Sequence, residues 1–491
     1  MKGILLACAS VAMAVPGMSP MVAPAAARAP SPAPARPAGE AQARPNVIVI
    51  LVDDLGWPDV STYGRHDVPT PNIDRIANTG VAFSSGYVAA SVCAVSRAGL
   101  LTGRMPASFG FYYNINDEGN DGAGLPTDQP TLAERLKPLG YRTAAIGKWH
   151  QGAERQFYPT NRGFDEFFGF LAGETVYVDP RTPGMVTTPT RADANKPPFD
   201  HRRGNGVVVE GPDARPVDNF GKYLTNEITH RAVDFIERSD GQPYFAYVAY
   251  NAPHWPLQVP QTWFDKFASI QDPVRRTYVA MIAAMDDGVG QILDALEHKG
   301  QRENTIVILL SDNGCPVQFG FCNPAHPWGA GKFTYLEGGV RVPFVMSWPA
   351  GLSQRGIVDT PVSSLDIVPT ILHAASPDTP LPAGLDGQDL VAAVAHPPAS
   401  PRLLLWGQEP VYAARQGDYK LWRSEDWDRT HLYNIVTDAG ERTDLSARDP
   451  QIEAKLAADV ERWRASLPLP LWPLRFTRKV MIDGRETEWV Y

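Results

Sequence analysis

The chain lacks an apolar run long enough to cross a membrane. Beyond its first residues, the 491-residue sequence has no stretch of about 18 uninterrupted apolar residues. In residues 1–27, Lys2 precedes a short apolar run at 4–15 and three alanines at 25–27, which is the layout of a secretory signal peptide. We therefore expect no membrane span, a leader that is removed, and an exported protein that is periplasmic or secreted.

Residues 28–44 have almost nothing that a folded core would bury. The segment reads RAPSPAPARPAGEAQAR, is rich in proline and alanine, and predicts an extended tether. Cys8, inside the leader, also allows a lipoprotein anchor, but too few residues precede it for a charged region and an apolar core. A cleaved leader followed by a tether is the favoured interpretation.

Cysteine is scarce, since the chain has four. Cys8 is lost with the leader, and Cys315 and Cys322 are close enough in sequence to close a small disulfide loop, which export permits. Zinc binding by this pair with His326 is the less favoured alternative, because the spacing fits no usual zinc pattern. Cys93 is left over, and a leftover cysteine is reactive, modified, or simply a buried small hydrophobic residue.

The chain also lacks an excess of positive charge. Lysine and arginine number 45 against 54 aspartates and glutamates, which gives a formal net charge of -9. This balance argues against a broad basic surface and hence against nucleic acid as a partner. Any anion must be bound by a local cluster of cations.

What the sequence does contain is an alternation of short apolar runs with helical patterns. That order is typical of an α/β fold with a large, mostly parallel sheet sandwiched by helices. Helices are predicted at 71–76, at 131–139 and from Ser96 onward. The predicted strands are Asn46–Val52, 141–146, 244–250 and 306–310.

The length exceeds one ordinary domain, so a second unit is expected. Strand-like runs at 403–406 and 412–422 precede a predicted helix at 450–465. We therefore divide the mature chain into a catalytic domain at 45–397 and a smaller C-terminal subdomain at 398–491.

Polar residues follow each of the four predicted strands. Each signal alone is common, since a carboxylate after a strand often caps a helix and a histidine often bonds a loop. Parallel strands, however, bring their carboxyl ends to one edge, where open α/β sheets bind ligands. The residues in question are Asp53 and Asp54, Lys148 and His150, His254, and Asp312 and Asn313.

The residue types at this edge predict a metal and an anion together. Asp53, Asp54 and Asp312 with the amide oxygen of Asn313 form an all-oxygen set, which suits calcium or magnesium rather than zinc. Three carboxylates packed together without a cation would repel one another. The nearby cations suit a small tetrahedral anion, and they are Arg97, Lys148, His150, His254 and Lys332.

The segment CAVSRAGLLTGR, which begins at Cys93, resembles the signature of the arylsulfatase-type sulfatases of the alkaline phosphatase superfamily. Further blocks agree in order: DDLGWPD, GKWHQG, PHWP, SDNG, GKFTYLEGGVRVPF and LYNIVTDAGERTDL. The resemblance covers roughly residues 46–463. It implies an alkaline phosphatase-like fold with a small C-terminal antiparallel sheet and helix.

The resemblance also implies a modified nucleophile. A formylglycine-generating enzyme would convert Cys93 to formylglycine, whose hydrated aldehyde attacks sulfur and later expels sulfate. Calcium, with magnesium as the alternative, would be held by the all-oxygen set together with residue 93. Arg97 and Lys148 would steady the formylglycine, His150 would take a proton during elimination, His254 would protonate the leaving alcohol, and Lys332 would hold a sulfate oxygen.

One residue departs from the family pattern, because Val95 stands where the family has proline or alanine. We expect conversion nonetheless, since Arg97 and the Leu-Thr-Gly-Arg tail remain. The expected substrate is a sulfated small molecule or oligosaccharide. Two alternatives stay open: a phosphate or phosphonate ester hydrolase on the same scaffold, and a silent anion- or sugar-binding protein if Cys93 is not converted.

Two long polar segments, 105–128 and 182–219, are predicted to be loops at the mouth of this site. Substrate choice is expected to reside there. Trp149, Trp255 and Trp328 lie near the candidate residues in sequence and would either stack on a sugar ring or, more commonly, pack in the core.

Overall fold

The computed structural model describes residues 44–64, 68–115, 122–193, 206–217, 221–473, 477–482 and 485–490. The predicted leader, and the predicted tether up to residue 43, lie outside the described residues. Within the described part, no helix has both the length and the apolar composition that a membrane crossing requires.

The strands are named in chain order. Those in the described residues are β1 (Asn46–Val52), β2 (Val81–Phe83), β3 (Gly86–Tyr87), β4 (Arg142–Lys148), β5 (Glu166–Phe170), β6 (Met185–Thr188), β7 (Val209–Glu210), β8 (Arg215–Pro216), β9 (Tyr244–Ala249), β10 (Leu257–Pro260), β11 (Thr305–Ser311), β12 (Phe344–Ser347), β13 (Gly356–Val358), β14 (Val362–Ser363), β15 (Leu403–Gln408), β16 (Val411–Gln416), β17 (Tyr419–Ser424), β18 (Arg429–Asn434), β19 (Thr477–Ile482) and β20 (Arg485–Val490).

The helices follow the same convention. They are α1 (Pro71–Asn78), α2 (Cys93–Thr102), α3 (Leu132–Leu136), α4 (Leu224–Glu237), α5 (Gln261–Phe264), α6 (Pro273–His298), α7 (Glu337–Val340), α8 (Ile367–Ala375), α9 (Leu390–Ala395) and α10 (Pro450–Arg464).

The main sheet is mixed and mostly parallel, as the sequence predicted. Its strand order is β13-β2-β12-β11-β1-β9-β4-β5-β7-β8. The five central strands from β11 to β5 are parallel, whereas β12 and β7 join them antiparallel. Because the central strands run the same way, the carboxyl ends of β1, β4, β9 and β11 meet at one edge.

Two apolar layers cover this sheet, and the side chains of β1 alternate between them. Val47, Val49 and Leu51 pack in the cluster that contains α2 and α8. Ile48, Ile50 and Val52 pack in the opposite cluster, with α4 and α6. A strand buried on both faces needs a continuous apolar sequence, and burying each such side chain contributes about 1.5–3 kcal/mol.

The C-terminal region forms the expected antiparallel sheet with a helix. The strands β15 to β18 form a four-stranded meander, and α10 packs on one face through Leu456 and Val460. The other face belongs to the main core: Trp406 and Trp422 are buried there, and the Trp406 indole N–H donates to the Val88 carbonyl at 2.8 Å. The small sheet therefore shares the apolar core of the large one.

Four features that the sequence predicted differ in the structure. The run at 412–422 is a hairpin, because Gly417 adopts a left-handed φ of 60° between β16 and β17. The helix expected from Ser96 begins at Cys93, and the strand expected to end at residue 146 continues to Lys148. The predicted loop at 182–219 contains the short strands β6, β7 and β8 in its described part.

Candidate active site

Residue 93 stands at the positive end of a buried helix. Cys93 is the first residue of α2, is 2% exposed, and is the one cysteine outside a disulfide among the described residues. Val92, the N-cap residue, offers no side-chain oxygen; instead, the Ala94 amide donates to the Asn114 side-chain oxygen at 2.9 Å. The helix dipole therefore favours negative charge beside residue 93.

The carboxylates come from two neighbouring parallel strands. Val52 of β1 pairs with Ser311 of β11, so the residues that follow them emerge side by side. The Asp312 carboxylate accepts from the Asp54 amide at 3.3 Å and from the Asn313 side-chain amide at 2.5 Å. We refer to Asp53, Asp54, Asp312 and Asn313 as the acidic cluster; all four are buried.

Three buried cations surround the acidic cluster, and we call Arg97, Lys148 and Lys332 the cation ring. The Lys148 ammonium donates to Asp53 at 2.6 Å, and the Arg97 Nε donates to Asp312 at 2.9 Å. The Lys332 ammonium lies 2.7 Å from the Asp54 Oδ1 and 3.1 Å from the Cys93 sulfur. Residue 93 is therefore in direct contact with the cation ring.

The two candidate histidines lie at the same edge. The His254 Nε2 is 3.6 Å from the Asp54 Oδ2, and His150 follows β4 two residues after Lys148. Burial, reinforced by nearby lysine charges, lowers the pKa of each imidazole well below its usual value. Both are therefore neutral near pH 7 and able to accept a proton.

The pKa values of the acidic groups reveal crowding. Burial raises the pKa of Asp54 to about 7, and Asp53 and Asp312 add to the effect while Lys332 opposes it. Burial also raises the pKa of Asp53, but Lys148 and Arg97 outweigh it and the net shift is downward. Burial raises the pKa of the Cys93 thiol to about 12, so the thiol is protonated at neutral pH.

Two residues of the acidic cluster, Asp53 and Asp54, belong to a group of side chains that could hold a metal ion. Ligand atoms of Asp53, Asp54, Cys93 and His254 all lie within 4.8 Å of one another. The side-chain oxygen of buried Asn313 has no hydrogen-bond partner among the described residues. Oxygen donors left without partners beside crowded carboxylates are what calcium or magnesium binding would satisfy.

Backbone strain coincides with the site. Asp54 and His150 adopt left-handed φ angles of 64° and 53°, and Phe333, next to Lys332, has a φ of 74°. Non-glycine residues rarely adopt this conformation, and such residues tend to cluster at functional sites. The orientation of these side chains at the sheet edge therefore depends on backbone conformations that are energetically unfavourable.

The structure also shows the contacts of Cys315 and Cys322 and of two of the tryptophans singled out from the sequence. Cys315 and Cys322 form a disulfide, as expected, and this removes them as zinc ligands. Trp149 is fully buried and donates to the Phe157 carbonyl at 2.9 Å, which is a packing role. The Trp255 indole donates to Asp193 at 3.0 Å.

Sequence reasoning missed several polar residues that line this region. Gln151 donates to the Ala94 and His150 carbonyls at 2.8 and 2.7 Å, and the Tyr247 hydroxyl lies 3.5 Å from the Arg97 guanidinium. The Asn114 contact with α2 comes from a loop about twenty residues downstream, so no local capping pattern marks it. Gln151 and Asn251 come two or three residues after the strands β4 and β9. That position in the sequence is the signal by which they could have been predicted as site residues.

Comparison with known proteins gives a consistent result. The sequence model of the family described as Sulfatase matches residues 45–377. Arylsulfatase J from Mus musculus is 31% identical over 472 residues, which cover 84% of this chain and 75% of that protein. N-acetylgalactosamine-6-sulfatase from Sus scrofa is 32% identical over 394 residues, which cover 77% of this chain and 71% of that protein.

A solved structure is similar over most of its length. The crystal structure of Ps i-CgsB in complex with k-i-k-neocarrahexaose has a TM-score of 0.78 and 32% sequence identity. The match covers 87% of this chain and 94% of that one. The likeness therefore extends over most of both chains.

Proposed function

The chain belongs to the sulfatase family, and from that premise we propose that it hydrolyses the sulfate ester of a sulfated saccharide with a formylglycine made from Cys93 and a bound calcium or magnesium ion. Similar proteins support the substrate class: one is an N-acetylgalactosamine-6-sulfatase, and another was crystallised with a neocarrahexaose. The position and size of the sulfated sugar are left to experiment.

One observation carries this proposal. Residue 93 contacts both charge types at once: its sulfur is 3.6 Å from the Asp53 carboxylate and 3.1 Å from the Lys332 ammonium. A nucleophile placed between carboxylates that suit a cation and cations that suit an anion is the arrangement that sulfate transfer needs. Hydrated formylglycine would supply the attacking hydroxyl, and the divalent ion would neutralise charge on the sulfate oxygens.

The remaining side chains supply binding and proton transfer. Lys332 would hold a sulfate oxygen, while Arg97 and Lys148 would keep residue 93 oriented. His150 would take a proton from the second hydroxyl during sulfate release, because a bound sulfate opposes the lysine and arginine charges that lower its pKa. His254 would protonate the departing alcohol, because a bound sulfate opposes the lysine charges that lower its pKa.

We further propose that the segments 105–128 and 182–219 select the substrate. Two contacts support this for the second segment: β6 pairs with β10, which begins three residues after His254, and Asp193 accepts a hydrogen bond from Trp255 at 3.0 Å. Export through the leader at 1–27 is part of the same proposal, with a formylglycine-generating enzyme as the maturation partner.

Matched nitrophenyl esters test the reaction. Protein coexpressed with a formylglycine-generating enzyme should hydrolyse 4-nitrophenyl sulfate with a kcat/KM at least about tenfold above that for 4-nitrophenyl phosphate. A preference for the phosphate would support the phosphoesterase alternative instead. Turnover should be lost in Cys93→Ala and after removal of divalent cations; a protein that binds sulfated sugars without turnover would be the silent alternative.

A further inference from the structure

The side-chain amide of Asn251 is buried and lacks a hydrogen bond to any of the residues that the structure describes. Its side chain is 3% exposed, and neither its oxygen nor its nitrogen makes a hydrogen bond within the described part of the chain. Leaving both ends of a buried amide unsatisfied is unfavourable, so such groups are rare in folded proteins and call for an explanation. A ligand absent from the structure is one explanation, and the position of Asn251 favours it.

The strand register places Asn251 at the sheet edge that carries the site. Ala249, the last residue of β9, pairs with Leu51 of β1 on one side and with Gly147 of β4 on the other. Asn251 lies two residues after Ala249, where the chain passes between the segments that carry Asp53 and Lys148. The next residue is also tied to the first of these segments, because the Asp53 amide donates to the Ala252 carbonyl at 3.3 Å. The Asn251 backbone thus lies between a segment of the acidic cluster and a segment of the cation ring.

Side-chain alternation directs the amide to the face that carries residue 93. Tyr250 and Ala252 both pack in the apolar cluster of α4 and α6. Tyr247 and Ala249 pack on the other face, in the cluster of α2, where the Tyr247 hydroxyl meets Arg97. Since neighbouring residues of an extended chain face opposite sides, Asn251 points toward α2.

The backbone around Asn251 is held in place independently of its side chain. The Tyr177 hydroxyl lies 2.6 Å from the Asn251 carbonyl oxygen and 2.8 Å from the His254 carbonyl oxygen, and the His254 amide donates to the Asn251 carbonyl at 2.9 Å. The main chain therefore needs nothing from the amide. A positioned group whose own hydrogen bonds are unused is pre-organised for a ligand.

We propose that Asn251 is a sulfate-binding residue whose side-chain N–H groups donate to oxygens of the ester sulfate. The inference rests on the proposed function and extends it, because the established resemblance assigns no role to this position. An amide donor adds hydrogen bonds to an anion without adding charge to a site that already holds three cations. Its oxygen remains available to a substrate hydroxyl or to water.

The test is the variant Asn251→Leu, which keeps the number and branching of the side-chain heavy atoms and removes both polar ends. In the formylglycine-containing enzyme, we expect kcat/KM for 4-nitrophenyl sulfate to fall about 10- to 100-fold, the usual value of hydrogen bonds to a charged group. Inhibition by inorganic sulfate should weaken by a similar factor. The melting temperature should stay level or rise, since an unsatisfied buried amide has been removed.

Asn46→Leu is the matched control at the opposite end of the sheet. The Asn46 side-chain oxygen accepts from the Tyr244 amide at 3.3 Å, so this change should lower the melting temperature and leave kcat/KM and sulfate inhibition unchanged. Asn251→Asp has the native shape and serves if the leucine variant does not fold. Its added negative charge should weaken inhibition by inorganic sulfate more than the leucine does.

The outcomes separate two failures. A wild-type enzyme with formylglycine that hydrolyses no sulfate ester refutes the proposed function. A wild-type enzyme that turns over, combined with an Asn251→Leu variant within twofold in kcat/KM and in sulfate inhibition, refutes this inference alone. Loss of calcium affinity with unchanged sulfate inhibition would also overturn it, because Asn251 would then be a metal ligand.

Discussion

At the scale of single residues, the proposed metal site would make proton binding and metal binding at Asp54 interdependent. Its carboxylate is buried beside Asp53 and Asp312, and burial together with those charges raises its pKa to about 7. A divalent cation binds the ionised form, so a proton and the metal compete for Asp54. The metal-free protein should therefore hold this proton below neutral pH and release it when the metal binds.

This competition predicts how calcium affinity depends on pH. Below pH 7 the apparent affinity should fall by about tenfold per pH unit, because one proton must leave the site. Above pH 8 it should be nearly constant. Isothermal titration calorimetry in two buffers of different ionisation enthalpy measures both the calcium affinity and the number of protons released on binding. Equal calcium affinities at pH 6 and pH 8 would contradict the prediction.

Residue types explain much of what the sequence revealed about the site. Carboxylates, histidines and lysines directly after apolar strands marked Asp53, Lys148, His254 and Asp312, because parallel strands deliver their ends to one edge. Asn251 also follows a strand, but a single amide carries no distinctive chemistry in sequence. Its missing hydrogen bonds are visible only once its neighbours are known.

At the scale of elements, a buried ion network joins α7 to the C-terminal sheet. Glu337, the first residue of α7, accepts from the Lys420 ammonium of β17 at 2.8 Å and from the Tyr87 hydroxyl at 2.7 Å. Arg341 and Arg415 complete the network, through bonds of 3.1 Å to Glu337 and 2.6 Å to the Tyr87 hydroxyl. Because α7 begins five residues after Lys332, this network anchors the segment that carries Lys332.

The network predicts a specific acid sensitivity. Burial raises the pKa of Glu337, but Lys420, Arg341 and Arg415 outweigh it and bring the pKa down to about 2, from its usual 4.5. A carboxyl with a lowered pKa contributes stability that is complete above about pH 4.5 and is lost as pH falls toward 2. The contribution is about 3 kcal/mol for this shift.

Urea denaturation from pH 7 to pH 3 measures this contribution. The wild type should lose stability more steeply below pH 5 than Glu337→Gln does, while the variant should be the less stable protein at pH 7. Glu303→Gln, at an exposed position, is the control and should follow the wild-type curve. Parallel curves for the wild type and Glu337→Gln would show that Glu337 does not carry the acid sensitivity.

Helices and strands could be predicted from the sequence where neighbouring residues determine them, and not where distant residues do. The continuous β-branched run of β1 was recognisable, because it depends only on neighbouring residues. The hairpin at Gly417 was missed, since apolar residues on both sides of the turn read as one strand. The start of α2 was also missed, because its capping oxygen comes from Asn114.

At the scale of the whole molecule, the C-terminal sheet completes the main core. Trp406 and Trp422 bury one face of that sheet against the large domain, and Lys420 pairs with Glu337 across the same contact. Removing residues 398–491 would expose this apolar surface and leave a buried charge without its partner. The division at residue 397 is thus proposed as a boundary between subdomains that fold together.

Truncation tests that proposal. Residues 44–397 expressed alone should aggregate or melt without a cooperative transition, whereas residues 44–491 should melt cooperatively. Calorimetry of the two proteins in the same buffer provides the comparison. A soluble fragment with its own cooperative transition would show that the catalytic domain folds independently of the C-terminal sheet.

We propose that residue 93 works as formylglycine rather than as a thiol. Mass spectrometry of the tryptic peptide at residues 76–97 tests it directly, in protein from the native host or coexpressed with a formylglycine-generating enzyme, with Val95→Pro as the comparison. We predict the mass of an aldehyde at position 93 in both proteins, accompanied by sulfatase activity. An intact Cys93 thiol in a protein that still hydrolyses sulfate esters would contradict the account.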